Sequence, residues 1–129
     1  MRKLFSAVFL VFSCYSVAYA ADKAVMVGGE KDLDACTSTA IVSGLDPKGD
    51  GFLAVRSNAN AKAKLLDKLA EGQILYVCDE SADGKWLGVV YSKTGVDCGV
   101  GTPIYPKQAY KGVCQSGWVS KKWVNPLAG

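Results

Sequence analysis

The strongest constraint on the fold is a series of short runs of β-branched and aromatic residues, separated by clusters of turn-forming residues. The clusters at residues 44–51 and 83–84 are rich in Gly and Asp, which commonly end strands. Short strands at this spacing are typical of a small antiparallel barrel or sandwich. We expect strands at residues 37–42, 52–57, 74–78, 86–91 and 117–119.

Residues 59–71 fit this strand pattern less well. The segment is rich in helix-forming residues, places Leu65 and Leu69 four positions apart, and is followed by Gly72. Propensity alone favours a short helix here. A barrel instead requires a loop followed by a short strand at Leu65–Leu69, and tertiary context often overrides weak propensity. We favour the loop and strand, with the helix as the alternative.

The first 20 residues have the features of a secretory signal peptide. Two basic residues precede an apolar run from Leu4 to Ala18 that is too short to span a bilayer comfortably. Ala18-Tyr19-Ala20 offers small residues at the two positions that a signal peptidase recognises. We therefore expect cleavage after Ala20 and export. Lipoprotein processing at Cys14 is the alternative, although the bulky Phe12 fits a lipid-attachment motif poorly.

Cleavage would leave a chain of almost neutral charge. The full chain has 15 basic and 12 acidic residues, and two of the basic residues lie in the signal segment. Binding of nucleic acid or of an anionic membrane needs a basic surplus gathered in one run or on one face. The longest basic cluster is the pair Lys121-Lys122, which is typical of solvated strand ends. We expect no nucleic-acid partner and no membrane span.

The composition also disfavours catalysis. The chain contains no histidine, so the commonest general base and the commonest metal ligand are both missing. The acidic residues are scattered, mostly at turns such as Asp46-Pro47 and Asp50-Gly51, where Asp bonds to the local backbone. We find no nucleophile paired with a base and no set of metal ligands. We therefore expect no enzymatic activity, no cofactor and no metal.

Four cysteines follow the signal segment, at Cys36, Cys78, Cys98 and Cys114. An even number in an exported chain indicates disulfides, because thiols are oxidised outside the cytoplasm. A zinc site is the alternative, but none of the four is spaced as a close cysteine pair and no histidine is present to complete a mixed site. Four cysteines can form two disulfides in more than one way, and their spacing alone leaves every pairing open.

Four phrases of the sequence, in order, resemble a bacterial SH3 domain. They are Leu53-Ala54-Val55-Arg56-Ser57, residues 66–77, residues 84–91 and Gly117-Trp118-Val119. The resemblance covers most of residues 36–125 and implies an all-β, five-stranded SH3-like barrel. It further implies a bacterial protein, periplasmic or extracellular, whose barrel binds peptidoglycan or a protein partner and is not itself catalytic. Residues 21–35, which mix charge and glycine without a sustained period, would then be a flexible leader.

The chain departs from the family pattern at the turn after the first phrase. The family usually has Gly-Pro-Gly followed by an aromatic residue, whereas this chain has Asn58-Ala59-Asn60 and then Ala63. Asparagine tolerates the left-handed backbone conformation, so the turn can form without glycine. The missing aromatic residue removes one wall of the usual ligand groove.

The second departure is an insertion at residues 93–116, where the family joins two strands by a tight hairpin. The insertion carries Tyr105 and Tyr110, which we expect to be exposed, and a cysteine near each end. The barrel that the resemblance implies favours pairing Cys36 with Cys78 and Cys98 with Cys114. Long loops are usually functional or disordered, and a disulfide argues against disorder. The insertion is thus either a binding element or an embellishment that the bridge restrains.

These observations predict an exported, non-catalytic binding module that recognises peptidoglycan or an envelope protein. Trp86 lies beside the turn at residues 83–84 and could contact a ligand or pack in the core. The alternative function is a secreted inhibitor or accessory subunit that acts through loop 93–116; an enzyme is the third class. The candidate ligand-binding residues are Trp86, Tyr105, Tyr110, Asn58 and Asn60.

Overall fold

The computed structural model describes residues 3–15 and 21–129. The predicted cleavage motif, residues 18–20, lies outside the described residues. Residues 3–15 form neither helix nor strand, and their large apolar side chains are exposed. In the part of the chain that is described, no helix has the length and apolar character needed to cross a membrane.

The described residues form nine strands and one turn of 3-10 helix. The strands are β1 (Met26–Val27), β2 (Ser38–Val42), β3 (Leu53–Arg56), β4 (Leu65–Leu69), β5 (Ile74–Glu80), β6 (Trp86–Tyr91), β7 (Gln108–Ala109), β8 (Gln115–Ser120) and β9 (Val124–Ala128), with the 3-10 turn η1 (Lys121–Trp123) between the last two. Seven strands form one antiparallel sheet in the order β4-β3-β8-β6-β5-β2-β9, and β1 pairs with β7 in a separate ribbon.

The prediction of an all-β chain is confirmed, and so are both disulfide pairings, Cys36–Cys78 and Cys98–Cys114. The segment that could have been a helix forms strand β4 instead, paired with β3. Buried Leu69 joins the main core there, so tertiary burial outweighs the local helix propensity.

The sheet differs from the expected five-stranded barrel. It has seven strands, and no strand pair in the described part of the chain joins β4 to β9 to close it. At the outer edge of β4, side chains bond to the backbone of Lys68: its amide donates to Asp67 Oδ1 at 2.8 Å, and its carbonyl accepts from Lys93 Nζ at 3.4 Å. Strand β9 contains Pro126, which has no amide hydrogen to donate. Both edges are therefore poorly suited to pairing with each other.

The main core lies on the inner face of the curled sheet. Alternate residues of β6 point inward, which places Leu87, Val89 and Tyr91 in the same apolar cluster as Leu53 and Val55 of β3. Strands β2, β4, β5 and β8 contribute the remaining buried residues, which are Val42, Leu69, Leu75 and Val119. The buried residues of this cluster thus come from six of the seven strands, and the partly buried Val124 of β9 packs against it.

A second core forms where the predicted leader packs against the insertion. Val27 of the leader, Val90 of β6 and Val100 of the insertion are each at most 1% exposed and lie in one cluster with both disulfides. Backbone hydrogen bonds connect the two segments, among them Gly29 N to Ile104 O at 2.9 Å and Ala35 N to Thr102 O at 3.0 Å.

The prediction of a flexible leader at residues 21–35 is therefore wrong for most of its length. Val25 and Val27 are buried, and the Lys23 amide donates to the Ser57 carbonyl at 2.8 Å. The indole of Trp118, itself fully buried, donates to the Lys23 carbonyl at 2.8 Å. Only two buried valines alternate in this segment, which is too short a pattern to predict a strand from sequence.

Candidate ligand-binding site

Three aromatic side chains, from separate parts of the chain, line one open cavity of about 340 Å³. We call it the aromatic groove, and its aromatic walls are Phe52, Trp86 and Trp123. Leu53, Ala54, Ala61 and Leu65 add apolar surface, and Asp50, Arg56 and Ser120 add polar groups. A concave apolar site with a few polar groups is the usual form of a ligand-binding pocket.

The turn before β6 holds Trp86 at the edge of the groove. The Trp86 amide donates to Ser81 Oγ at 3.0 Å, and the Ser81 amide donates to the Trp86 carbonyl at 2.9 Å. Ser81 Oγ in turn donates to Asp83 Oδ1 at 2.6 Å, and this hydrogen bond lowers the pKa of the Asp83 carboxyl. Trp86 is half-buried, so one part of its ring packs and the rest is available to a ligand.

The 3-10 turn η1 places Trp123 on the neighbouring wall. The Lys121 amide at the start of η1 donates to the Lys85 carbonyl at 3.0 Å, and the Trp123 carbonyl accepts from the Ser43 amide at 3.0 Å. These bonds connect η1 to the turn before β6 and to the end of β2. Backbone contacts on both sides therefore fix the position of Trp123.

Basic side chains lie against the groove. Lys68 Nζ lies 4.6 Å from the centroid of the Phe52 ring, and Lys122 Nζ lies 4.9 Å from that of Trp123. Both distances are within the range of a cation–π interaction. Arg56 donates from Nη1 to the Ala63 carbonyl at 3.0 Å, which holds the loop that carries Ala61 against the groove.

Of the residues that we predicted to bind a ligand, Trp86 is the one in the aromatic groove. Asn58 and Asn60 instead build the turn after β3: Asn58 Oδ1 accepts from the Ala59 amide at 2.7 Å, and Asn60 Oδ1 accepts from the Lys62 amide at 2.8 Å. Every positive φ among the described residues belongs to glycine. The turn therefore forms without the left-handed asparagine that we expected.

The two tyrosines of the insertion do not line the aromatic groove, and they differ from each other. Tyr105 is exposed, at 61% of its surface, and Lys31 Nζ lies 4.9 Å from its ring centroid. Tyr110 is half-buried, in contrast to the expectation: its hydroxyl donates to the Cys98 carbonyl at 2.8 Å and accepts from the Cys114 amide at 3.1 Å. Tyr110 is thus a structural residue of the insertion, because its hydroxyl lies between the two bridged cysteines.

Sequence reasoning missed Phe52, Trp123 and Arg56 as groove residues. Phe52 and Trp86 share a signal that could have paired them, since each is an aromatic residue that follows a glycine closely and lies at, or immediately before, the start of a strand. Trp123 lies in a 3-10 turn that strand patterns do not predict. Arg56 belongs to an alternating strand pattern, so its sequence context indicates only a solvent-facing position.

A separate polar network lies at the edge of the sheet, outside the aromatic groove. Asp67 accepts from the Tyr91 hydroxyl at 2.7 Å and from Lys93 Nζ at 2.7 Å. Partial burial acts to raise the pKa of Asp67, but the hydrogen bonds from Lys93 and Tyr91 outweigh it and the pKa is lowered. Burial, followed by the bond to Asp67, raises the pKa of Tyr91. The network joins β4 to the end of β6 and has a structural role.

Comparisons with protein-family models, with curated proteins and with solved structures find no match to this chain. The site is therefore interpreted from its own geometry. Within the described ranges, no group of three or more His, Cys, Asp or Glu side chains is placed to hold a metal ion. The two disulfides indicate an oxidising environment such as an exported protein meets.

Proposed function

We propose that this protein is an exported, non-catalytic binding module whose aromatic groove recognises peptidoglycan or an envelope protein. The observation that carries the proposal is the convergence of Phe52, Trp86 and Trp123 on one cavity of about 340 Å³. Aromatic rings bury large areas at little cost in side-chain entropy, which makes them the usual centre of a binding surface.

The proposed architecture is a variant of the bacterial SH3 domain. The phrases that resemble the family form β3, β4 with the start of β5, β6 and part of β8, and these strands surround a single core. The extra strands and the insertion would then be additions to that frame. We further propose that residues 1–20 direct export, in agreement with the two disulfides.

Cosedimentation tests the function directly. The exported protein is incubated with purified cell-wall sacculi, and separately with immobilised envelope proteins, and the bound fraction is measured. We expect Trp86→Ala to lose at least about tenfold in affinity, as is usual for a central aromatic residue of an interface. Tyr105→Ala is the matched control, since it removes an exposed aromatic ring outside the groove. Equal retention of both variants, or no retention of the unmodified protein, contradicts the proposal.

One observation favours a second function, a secreted inhibitor or accessory subunit that acts through loop 93–116. Tyr105, Val96 and Val113 of the insertion are exposed at 61%, 50% and 81% of their surfaces, although the disulfide and Tyr110 hold the loop in place. A rigid loop loses little conformational entropy on binding. In this case Tyr105→Ala combined with Val113→Ser abolishes capture of a protein partner, while Trp86→Ala leaves it unchanged.

A further inference from the structure

We propose that the aromatic groove binds an extended segment of a protein partner, which joins the sheet as an additional strand beside β3. This inference rests on the proposed function, because it takes the groove as the binding site and names the kind of ligand that the groove receives. The partner belongs to one of the two classes of that function, the envelope proteins. Binding to the cell wall alone is an outcome that the experiments below distinguish.

The groove lies where two central strands of the sheet separate. Within the described residues, β3 and β8 pair at one position, Arg56 with Trp118. An antiparallel ladder continued from there would place Ala54 opposite Ser120. These two residues do not pair, and both line the groove. The sheet is therefore open between β3 and β8 beside the aromatic rings.

The backbone of Ala54 faces this opening. Ala54 pairs in register with Lys68 of β4, but the Lys68 amide and carbonyl bond to side chains on the outer edge of the sheet. Opposite residues of an antiparallel pair either exchange both hydrogen bonds or direct their groups away from each other. The Ala54 amide and carbonyl therefore point away from β4. The alternation along the strand agrees, because the Ser57 amide, an odd number of positions away, donates to the Lys64 carbonyl at 2.9 Å on the β4 side.

The backbone of Ser120 faces the opening from the other strand. Ser120 pairs in register with Trp86 of β6. The Trp86 amide and carbonyl bond instead to Ser81, at 3.0 Å and 2.9 Å, on the side away from β8. By the same rule, the Ser120 amide and carbonyl point away from β6 and toward β3. Each of the two strands thus directs one donor and one acceptor into the opening.

Unpaired backbone groups at the edge of a strand are the usual template for strand addition, in which an extended peptide supplies the missing N–H and C=O groups. A sugar chain does not present alternating N–H and C=O groups along its backbone. Strand β3 is paired with β4 on its other side, and β8 is paired with β6. The opening therefore admits a single extended segment, and not the edge of a second folded sheet.

The side chains of the groove define what this segment carries. Alternate side chains of a strand point to the same face, so every second residue of the segment can contact Phe52, Trp86 and Trp123. Apolar residues at these positions would bury the most surface against the rings. The lining has one acidic and one basic residue, Asp50 and Arg56, and neither takes part in an ion pair of the described residues. The groove therefore does not require a segment of high net charge.

Hydrogen exchange tests the opening on the free protein. We expect the Ala54 amide to exchange at least about tenfold faster than the amides of Leu53 and Val55, which alternate with it and face β4. The measurement needs no ligand and no substitution. Equal protection of the three amides would show that Ala54 already has a partner, and would overturn the inference.

A peptide scan tests the ligand. Linear decapeptides are selected from a displayed library on the unmodified protein and counter-selected on Trp86→Ala. The consensus peptide is synthesised, and each of its backbone amides is methylated in turn. Strand addition predicts that every second methylation weakens binding by at least about tenfold, because alternate amides face β3, and that those between have little effect. The unmethylated peptide should also slow exchange of the Ala54 amide. Tyr105→Ala is the matched control and should leave its affinity unchanged.

Three outcomes contradict the inference. A selected peptide that tolerates methylation at every position, or that leaves exchange at Ala54 unchanged, does not bind as a strand. If no peptide is selected while sacculi are retained through Trp86, the inference is wrong and the proposed function stands, with the cell wall as the ligand. If Trp86→Ala alters no binding event, the groove is not the site, and the proposed function fails with the inference.

Discussion

The clearest prediction from the structure concerns the single oxygen atom of the Tyr110 side chain. Tyr110→Phe removes the hydroxyl that donates to the Cys98 carbonyl at 2.8 Å and accepts from the Cys114 amide at 3.1 Å. The variant keeps the ring and its apolar contacts with the second core. Any loss of stability therefore measures the two hydrogen bonds that connect the ends of the insertion.

The size of the effect follows from the surroundings of the two partners. An ordinary hydrogen bond contributes about 1 kcal/mol net, and a buried group left without a partner costs about 1–3 kcal/mol. Cys98 is only 4% exposed, so water has poor access to its carbonyl once the hydroxyl is gone, whereas the half-buried Cys114 can be hydrated more easily. We expect Tyr110→Phe to lower the free energy of unfolding by about 2 kcal/mol.

Urea unfolding with both disulfides intact measures this difference. For a domain of this size the slope against urea is about 1–3 kcal/mol per M, so the midpoint should fall by about 1 M. Tyr105→Phe is the matched control, because Tyr105 is exposed and no hydrogen bond of its hydroxyl occurs within the described residues; its midpoint should change by less than about 0.3 M. Equal midpoints for the two variants would refute a structural role for the Tyr110 hydroxyl.

Two further predictions concern the stability of the main sheet. The folded state lowers the pKa of Asp67, so its network with Lys93 and Tyr91 stabilises the fold above the ordinary carboxyl pKa. This stabilisation is lost as the pH falls through the lower folded-state pKa. Asp67→Asn should therefore flatten the acid part of the stability curve, measured as urea midpoints from about pH 7 to about pH 2. Gly88→Ala should lower the free energy of unfolding by about 2 kcal/mol, because the new Cβ would lie 2.7 Å from the Asp79 Cβ. Thermal unfolding measures this loss, and an unchanged melting temperature would contradict it.

The strands of the main sheet were predictable because their signals are local. Residues 86–91 form β6, where Leu87, Val89 and Tyr91 alternate with outward-facing residues, and the turn before the strand carries Asp and Gly. The strand at Leu65–Leu69 was harder, because its exposed positions hold helix-forming residues. The segment forms a strand because Leu69 is buried in the main core beside β3. This contact can be recognised only once the order of the strands is known.

The ribbon of β1 and β7 could not be predicted, because each strand has only two residues and the partners are far apart in sequence. Met26 pairs with Ala109, and Val27 pairs with Gln108. Neither strand has an alternating pattern long enough to recognise. The leader forms its strand by pairing with the insertion. Neither segment alone therefore carries a sequence pattern that predicts the ribbon.

Of the three aromatic residues that line the groove, one could be predicted from the sequence. Trp86 follows a recognisable turn, and its position suggested contact with a ligand. Phe52 and Trp123 join it because η1 and the start of β3 converge in space, which no local pattern encodes. Conversely, Asn58 and Asn60 are typical turn residues, and the structure uses them as such.

The leader also explains why Trp86, and not Trp118, is available to a ligand. Trp86 and Trp118 lie on the same outer face of the sheet, since Trp118 pairs with Gly88 in register, two positions along β6 from Trp86. Val25 can approach that face because Gly88 has no side chain, and the Lys23 carbonyl accepts the indole hydrogen of Trp118. The leader therefore buries one tryptophan, and none of its residues lines the groove beside the other. The contacts of Lys23 and Val25 on this face thus separate a structural tryptophan from the one that lines the groove.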